Sequence, residues 1–436
     1  MALPVEVVGN YKPPIESLSK RIERYSPSPE LLKILPDYLT QYRKTQAQNF
    51  FPGADFVACY SPIDSKIVIV PPWHPLFAEP QITHGSDYAS GLFEGGSLEP
   101  VIKNGEFVGA NLILLEPRLR RMQWSLKNRS LMLPVNPQEF EQVIIDLGSI
   151  LALTVLFDKN DRPSRAYVRP SIHPGFGRMG ITLKPNHEID SSVIMWNWPS
   201  YFSDPEKAYH GRGLTVIATG EQRLFPILGK HASNYGDAGR VGTLAKNLDG
   251  DEALFFAPYG IRDGKREYLY GPAGKDEVAK VLKYGVIADG PGEEIIAITD
   301  DGKILYPPKD VNRLGGTTLD YIAKRLGPKL GFTFEERPFT LEDFKTGKII
   351  GMAMIGNAVR VAPVGQINIH DPESLELIDQ IIIPPPEQIR QLVTQYEAEV
   401  SGQVEPSDHS LLTPVDLDGG MTACDDLYTL YQKWFS

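Results

Sequence analysis

The run Gly229-Lys230-His231-Ala232-Ser233-Asn234-Tyr235 sets a lysine among small residues, just ahead of a helix predicted from about Gly236 to Asn247. Small neighbours let backbone and a bulky ligand approach closely, and a desolvated lysine can shed its proton and act as an amine nucleophile. Alone, the stretch equally describes a surface lysine at a helix start. Other segments carry complementary groups. Asp289-Gly290-Pro291-Gly292-Glu293-Glu294 offers three acids, either for a site or for a solvated turn. Leu314-Gly315-Gly316-Thr317-Thr318-Leu319 precedes a predicted helix, where free N–H groups and a hydroxyl make an anion site. In Tyr167-Val168-Arg169-Pro170 an arginine sits in an apolar strand, a costly placement unless it is paired or used. An amine, a carboxylate, anion donors and a strand arginine together suit chemistry on a charged small molecule.

The order of Lys230 and Tyr235 resembles the cofactor lysine and following tyrosine of the branched-chain aminotransferases, pyridoxal-phosphate enzymes of fold type IV. The resemblance runs from about Thr83 to Val364. Its most specific stretch is Thr83-His84-Gly85-Ser86-Asp87-Tyr88-Ala89-Ser90-Gly91-Leu92-Phe93-Glu94-Gly95, which is similar to the family's opening signature. By this resemblance Lys230 holds the aldehyde of pyridoxal 5'-phosphate and shuttles a proton, and Tyr235 bonds the ring oxygen. Asp289 faces the pyridine nitrogen, with Glu293 or Glu294 as the alternatives at a shifted register. Thr317 and Thr318 bind phosphate. So does Arg121, in a segment Arg120-Arg121-Met122 with Ser125, where Arg120 stays open as the alternative. Gly356-Asn357-Ala358 matches a Gly-Thr-Ala turn, so Asn357 and Ala358 stand at the phosphate and the substrate carboxylate. Phe93, Tyr167 and Arg169 line the substrate pocket, and Tyr88 reaches into a partner subunit's site. Three positions depart from the family pattern: Ser233 replaces a glycine, Asp289 a glutamate, and Asn357 a threonine.

The activity implied is transfer of an amino group between a branched-chain or related apolar amino acid and a 2-oxo acid such as 2-oxoglutarate. It would run by a ping-pong mechanism in a homodimer without a metal. The alternatives are another fold type IV enzyme (a D-amino-acid transaminase, an aminodeoxychorismate-lyase-like or a specialised biosynthetic enzyme) and a non-catalytic homologue that keeps only the fold. A scaffold has no use for the lysine, the tyrosine and both glycine turns together.

To position these groups the chain supplies 436 residues with an ordinary apolar fraction, enough for two or three domains. A net charge of −11 argues against nucleic acid, which needs clustered Lys and Arg. Two distant cysteines indicate a reducing compartment. With no secretory signal, and no apolar run near the roughly 18 residues of a membrane span, a cytoplasmic protein is expected. Strands and helices intermix, giving an α+β class with two domains. A small domain is expected over 1–198 with a proline-rich lead-in and a helix near 30–47, then a connection at 199–213. A larger domain at 214–384 carries the lysine, and a helical tail follows at 385–436. Predicted strands include 66–70, 108–115, 165–172, 192–196, 214–218, 253–257, 294–299, 303–306 and 348–355. Predicted helices include 119–128, one from Pro137, 275–284 and 317–326. An insertion lies between Ala257 and Asp289, and the tail past Asp371 has no counterpart in the family pattern.

Overall fold

The computed structural model describes residues 16–29, 39–78, 89–175, 182 and 188–435. Tyr88 and the first six residues of the opening signature, 83–88, lie outside the described residues, as does the first part of the helix expected near 30–47. Its remainder is the helix Leu39–Phe50.

The first sheet is antiparallel. Its strands run Leu412–Pro414, Glu106–Ile113, Gly96–Lys103, Ala166–Pro174, Ile189–Asn197, Val57–Ser61 and Lys66–Val70, and Leu92–Phe93 pairs with Ala166–Pro174. The helix Pro137–Val155 covers it, opened by Asn136, whose side chain accepts the Gln138 N–H, and by proline in the first turn. That helix carries the apolar face expected of it: Phe140, Val143, Ile144, Leu147, Ile150 and Leu151 are all buried. Along Ala166–Pro174 the side chains alternate between faces. Val168, Pro170 and Ile172 enter the core, while Tyr167 and Arg169 share the opposite face.

The second sheet is mixed, in the order Phe334–Glu336, Ile304–Tyr306, Glu294–Thr299, Ile349–Gly356, Arg360–His370, Leu214–Ala218, Glu252–Ala253, with Leu377–Ile382 on Arg360–His370. The inserted segment extends a hairpin. Phe255–Arg262 pairs with Lys265–Tyr268 on one side and Gly285–Asp289 on the other, and the helix Lys275–Tyr284 leads back into the last of these. Gln222 ties this hairpin down, donating to the carbonyls of Ala257 and Leu269 and accepting the Gly271 N–H.

The end of the chain crosses back. The helix Glu387–Val400 packs on the second sheet through Ile389, Leu392, Val393 and Tyr396. Leu412–Pro414 then extends the edge of the first sheet, and Leu417–Leu430 packs against Pro137–Val155. The tail thus contains a strand as well as helices, and packs first on the second sheet and then on the first. Among the described residues no helix is long and apolar enough to cross a membrane.

Candidate active site

The lysine stretch lies between the two sheets. Phe93 N–H donates to the Lys230 carbonyl at 3.2 Å, and Ala232 N–H donates to Gly91 at 2.9 Å, so the short strand Leu92–Phe93 of the first domain grips it. Ser125, on the helix Leu115–Asn128, accepts the Lys230 N–H at 3.0 Å. That helix comes so close that a Cβ on Gly229 would stand 2.8 Å from the Ser125 Oγ and the His231 Nε2, which explains the glycine. Lys230 Nζ donates to the Tyr235 hydroxyl at 2.5 Å and lies 5.2 Å from the centre of the Phe93 ring. Burial, and then the positive charge of Arg121, lower the Lys230 amine to about 8. Burial pushes the Tyr235 phenol up, so it stays protonated.

The acids form the second wall. Asp289 ends the strand Gly285–Asp289 in register with Phe255. Its Oδ1 accepts from Arg223 Nε at 2.9 Å, and the Arg223 guanidinium lies 3.7 Å over the Phe255 ring. Burial raises the Asp289 carboxyl to about 6, with Arg223 opposing the rise. Glu293 has no such partner: its Oε2 accepts the Gly292 N–H at 2.9 Å, and burial reinforced by Glu252 drives its carboxyl well above the usual carboxylate range. Glu294 is paired with buried Arg313 and accepts the Gly316 N–H. A Cβ on Gly316 would fall on that carboxylate.

The third wall is an anion cradle. Arg121 makes a bidentate pair with Glu94, at 2.8 and 2.7 Å, and donates to the Gly315 carbonyl at 2.9 Å. Arg120 turns away toward Glu116, 3.6 Å off. Arg118 is buried and donates to the carbonyls of Ile113 and Gly95 and to Asn357 Oδ1. Two donors here are buried with no partner, Thr317 Oγ1 and Asn357 Nδ2. Buried polar groups are nearly always bonded, so this pair, beside two guanidiniums, fits a phosphate.

On the face shared by residues i and i+2, Arg169 Nη2 donates to the Tyr167 hydroxyl at 3.0 Å, and its guanidinium lies 4.4 Å over Phe93. The Arg169 Nε is buried without a partner. Among the described residues no acid pairs with Arg169. Glu94, the acid it could have closed the domain interface with, is taken by Arg121.

Lys230, Tyr235, Asp289, Arg121, Tyr167, Thr317, Thr318, Asn357 and Ala358 therefore line one cleft, together with Glu293 and Glu294. Phe93 and Arg169 stand against its aromatic wall. Sequence reasoning missed Arg118, Arg223 and the Glu94 pairing. The basic run at Arg118, Arg120 and Arg121 was the available signal for the first. Nothing local marks Arg223.

No protein-family model matches the chain. Among curated proteins, the branched-chain-amino-acid aminotransferase of Salmonella typhimurium is 25% identical over 214 residues, 48% of this chain and 59% of that protein. The match with the Salmonella typhi enzyme is the same. The chain thus spans about three-fifths of the curated relatives it matches. Among solved structures, the branched-chain aminotransferase of Escherichia coli superposes with a TM-score of 0.62 at 18% identity, covering 84% of this chain and 99% of that one. The one from Thermoproteus uzoniensis, solved with norvaline, gives 0.62 at 16%, covering 83% and 100%. The Thermobaculum terrenum enzyme, solved in its PLP form, gives 0.59 at 19%, covering 83% and 99%. The fold is that of the branched-chain aminotransferases, α+β and fold type IV, and the resemblance drawn from the motifs points to the same family.

Proposed function

We propose that this chain is a pyridoxal-phosphate-dependent aminotransferase, exchanging an amino group between a branched-chain or related apolar amino acid and a 2-oxo acid such as 2-oxoglutarate. The observation that carries the reading is the pairing of a buried lysine, lowered to about 8 and in contact with Tyr235, with unpartnered anion donors in the same cleft. The cofactor, when bound, supplies an aldehyde and a protonatable ring that takes up electrons. Lys230 would hold the aldehyde, and its amine would move the proton at the substrate's Cα. Tyr235 bonds the ring oxygen.

Asp289 serves the pyridine nitrogen. Of the three acids it is the one kept anionic by a cation while its Oδ2 carries no hydrogen bond among the described residues. Glu294 is occupied by Arg313 and Gly316, and burial favours the neutral form of Glu293. Arg121, Thr317, Thr318 and Asn357 hold the phosphate, and the backbone at Asn357–Ala358 receives the substrate carboxylate. Arg169, unpaired with any acid among the described residues, grips a side-chain carboxylate, whereas Phe93 and Tyr167 accept an apolar side chain. The amino donor and the oxo acid then use one site in turn, in a homodimer.

Purified protein loaded with pyridoxal phosphate should be yellow, and the colour should bleach with branched-chain amino acids and return with 2-oxoglutarate. Protein that stays colourless in excess cofactor refutes the reading. Bleaching only by D-amino acids would move it to another fold type IV activity.

A further inference from the structure

Asn357 carries an amide of the cradle whose direction is fixed by another residue. A guanidinium has donors only. The atom 2.8 Å from Arg118 Nη2 must therefore be the Asn357 oxygen, and turning the amide over would set N–H against N–H beside a positive charge. The amide nitrogen is thereby committed to the other direction, where it is buried and finds no partner among the described residues. Arg118 cannot itself move away. It is 4% exposed, with Nε and Nη1 held by the carbonyls of Ile113 and Gly95. Asn357 and Thr317, the residues of the cradle with orphaned donors, line the same cleft.

Resting on the proposed cofactor chemistry, we infer that Arg118 is a positioning residue: it locks the Asn357 amide so that Nδ2 donates to the cofactor phosphate, the place where the family pattern has a threonine. The arrangement makes Asn357 an obligate donor. A residue that can turn acceptor there opposes a phosphate, and loss of Arg118 frees the amide to rotate.

The test compares pyridoxal phosphate with pyridoxal, which offers the same aldehyde to Lys230 without the phosphate. Asn357→Asp changes a single group and keeps the oxygen that Arg118 needs. Its affinity for pyridoxal phosphate should fall by about tenfold or more, the scale of a lost charge-assisted hydrogen bond, while pyridoxal binds as to the parent. Arg118→Met should also lose phosphate preference, Arg118→Lys less so. Combined with Asn357→Asp, the Arg118→Met loss should fall short of the sum of the two, as for residues acting as one unit. Cofactor-free melting curves report whether each variant folds. If Arg118→Met does not, Asn357→Asp and Asn357→Ala carry the test. Equal weakening of both ligands, or none for pyridoxal phosphate, overturns the inference. Additive losses would mean that Arg118 acts on the phosphate by charge alone and does not position Asn357. Parent protein that takes up neither ligand refutes the cofactor chemistry itself, a distinct result.

Discussion

The amine of Lys230 should capture pyridoxal with a pH midpoint of about 8 rather than at the ordinary lysine value of 10.5. That lowering corresponds to roughly 3 kcal/mol of preference for the neutral form. At pH 7 it raises the neutral fraction from about one in three thousand to about one in ten, roughly 300-fold. The sign follows from the causes: burial penalises the ammonium, and Arg121 repels it, so both lower the value. The assay is the initial rate of absorbance change when cofactor-free protein meets pyridoxal across a pH series. Pyridoxal is the probe because it leaves the phosphate cradle out of the measurement. The rate should rise with pH and level off above about 8. In Arg121→Met the repelling charge is gone and Glu94, which favours the ammonium, is left alone, so the midpoint should move upward. A parent rate that climbs without a break to 10.5, or a midpoint that moves down in the variant, refutes the reasoning.

Asp289 loses its charge in acid, so the chemical step should fail as pH drops through about 6; since Arg223 opposes the burial of its carboxylate, Arg223→Met should move that acid limb to higher pH. An unmoved limb assigns it to another group. Arg169→Met should weaken the 2-oxoglutarate half-reaction by about 2–3 kcal/mol, the value of a charged hydrogen bond, and spare the branched-chain one; equal loss in both means the arginine never reads substrate. Tyr431 is fully buried and bonds the Ile69 carbonyl at 2.7 Å. Tyr431→Ala should cost about 3–5 kcal/mol of stability in denaturant melts, and a cost below about 1 kcal/mol would place the tail outside the folded unit.

What could be read in the sequence was local. The apolar face of Pro137–Val155 repeats at helical spacing, and a period of two puts Tyr167 and Arg169 on one side of their strand. The helix Lys275–Tyr284 and the strand Leu214–Ala218 stand where patterning sets them. The expected strand ending near Ala257 is longer, reaching Arg262, because its partner Lys265–Tyr268 is polar and exposed and shows no alternation. Gly285–Asp289 is buried on both faces, and so lacks alternation too. Leu412–Pro414 is too short to carry a pattern and gains its structure from the edge of a distant strand. In the site, the glycine turns and the lysine were legible as individual signals. The Arg223–Asp289 and Arg121–Glu94 pairs were not, because each joins residues far apart in the chain and only the assembled fold brings them together.

The turn that carries Asn357 is held by both domains at once. Arg118 and Arg165, from the first domain, reach the Asn357 side chain and the Ala358 carbonyl, the latter at 2.5 Å. Arg360, at the far end of the turn, reaches back to Glu99 of the first domain at 2.7 Å and also pairs with Glu397 on the returning helix. Arg360 sits in the left-handed region at φ 56°, a conformation a non-glycine residue keeps only when its surroundings fix it. Buried ion pairs add little net stability but penalise misplacement, since one partner moved away leaves a charge uncompensated. The three arginines thus tie this turn to residues of the first sheet and its helix. The cradle for the anion is not a property of either sheet, but of their registry across this turn.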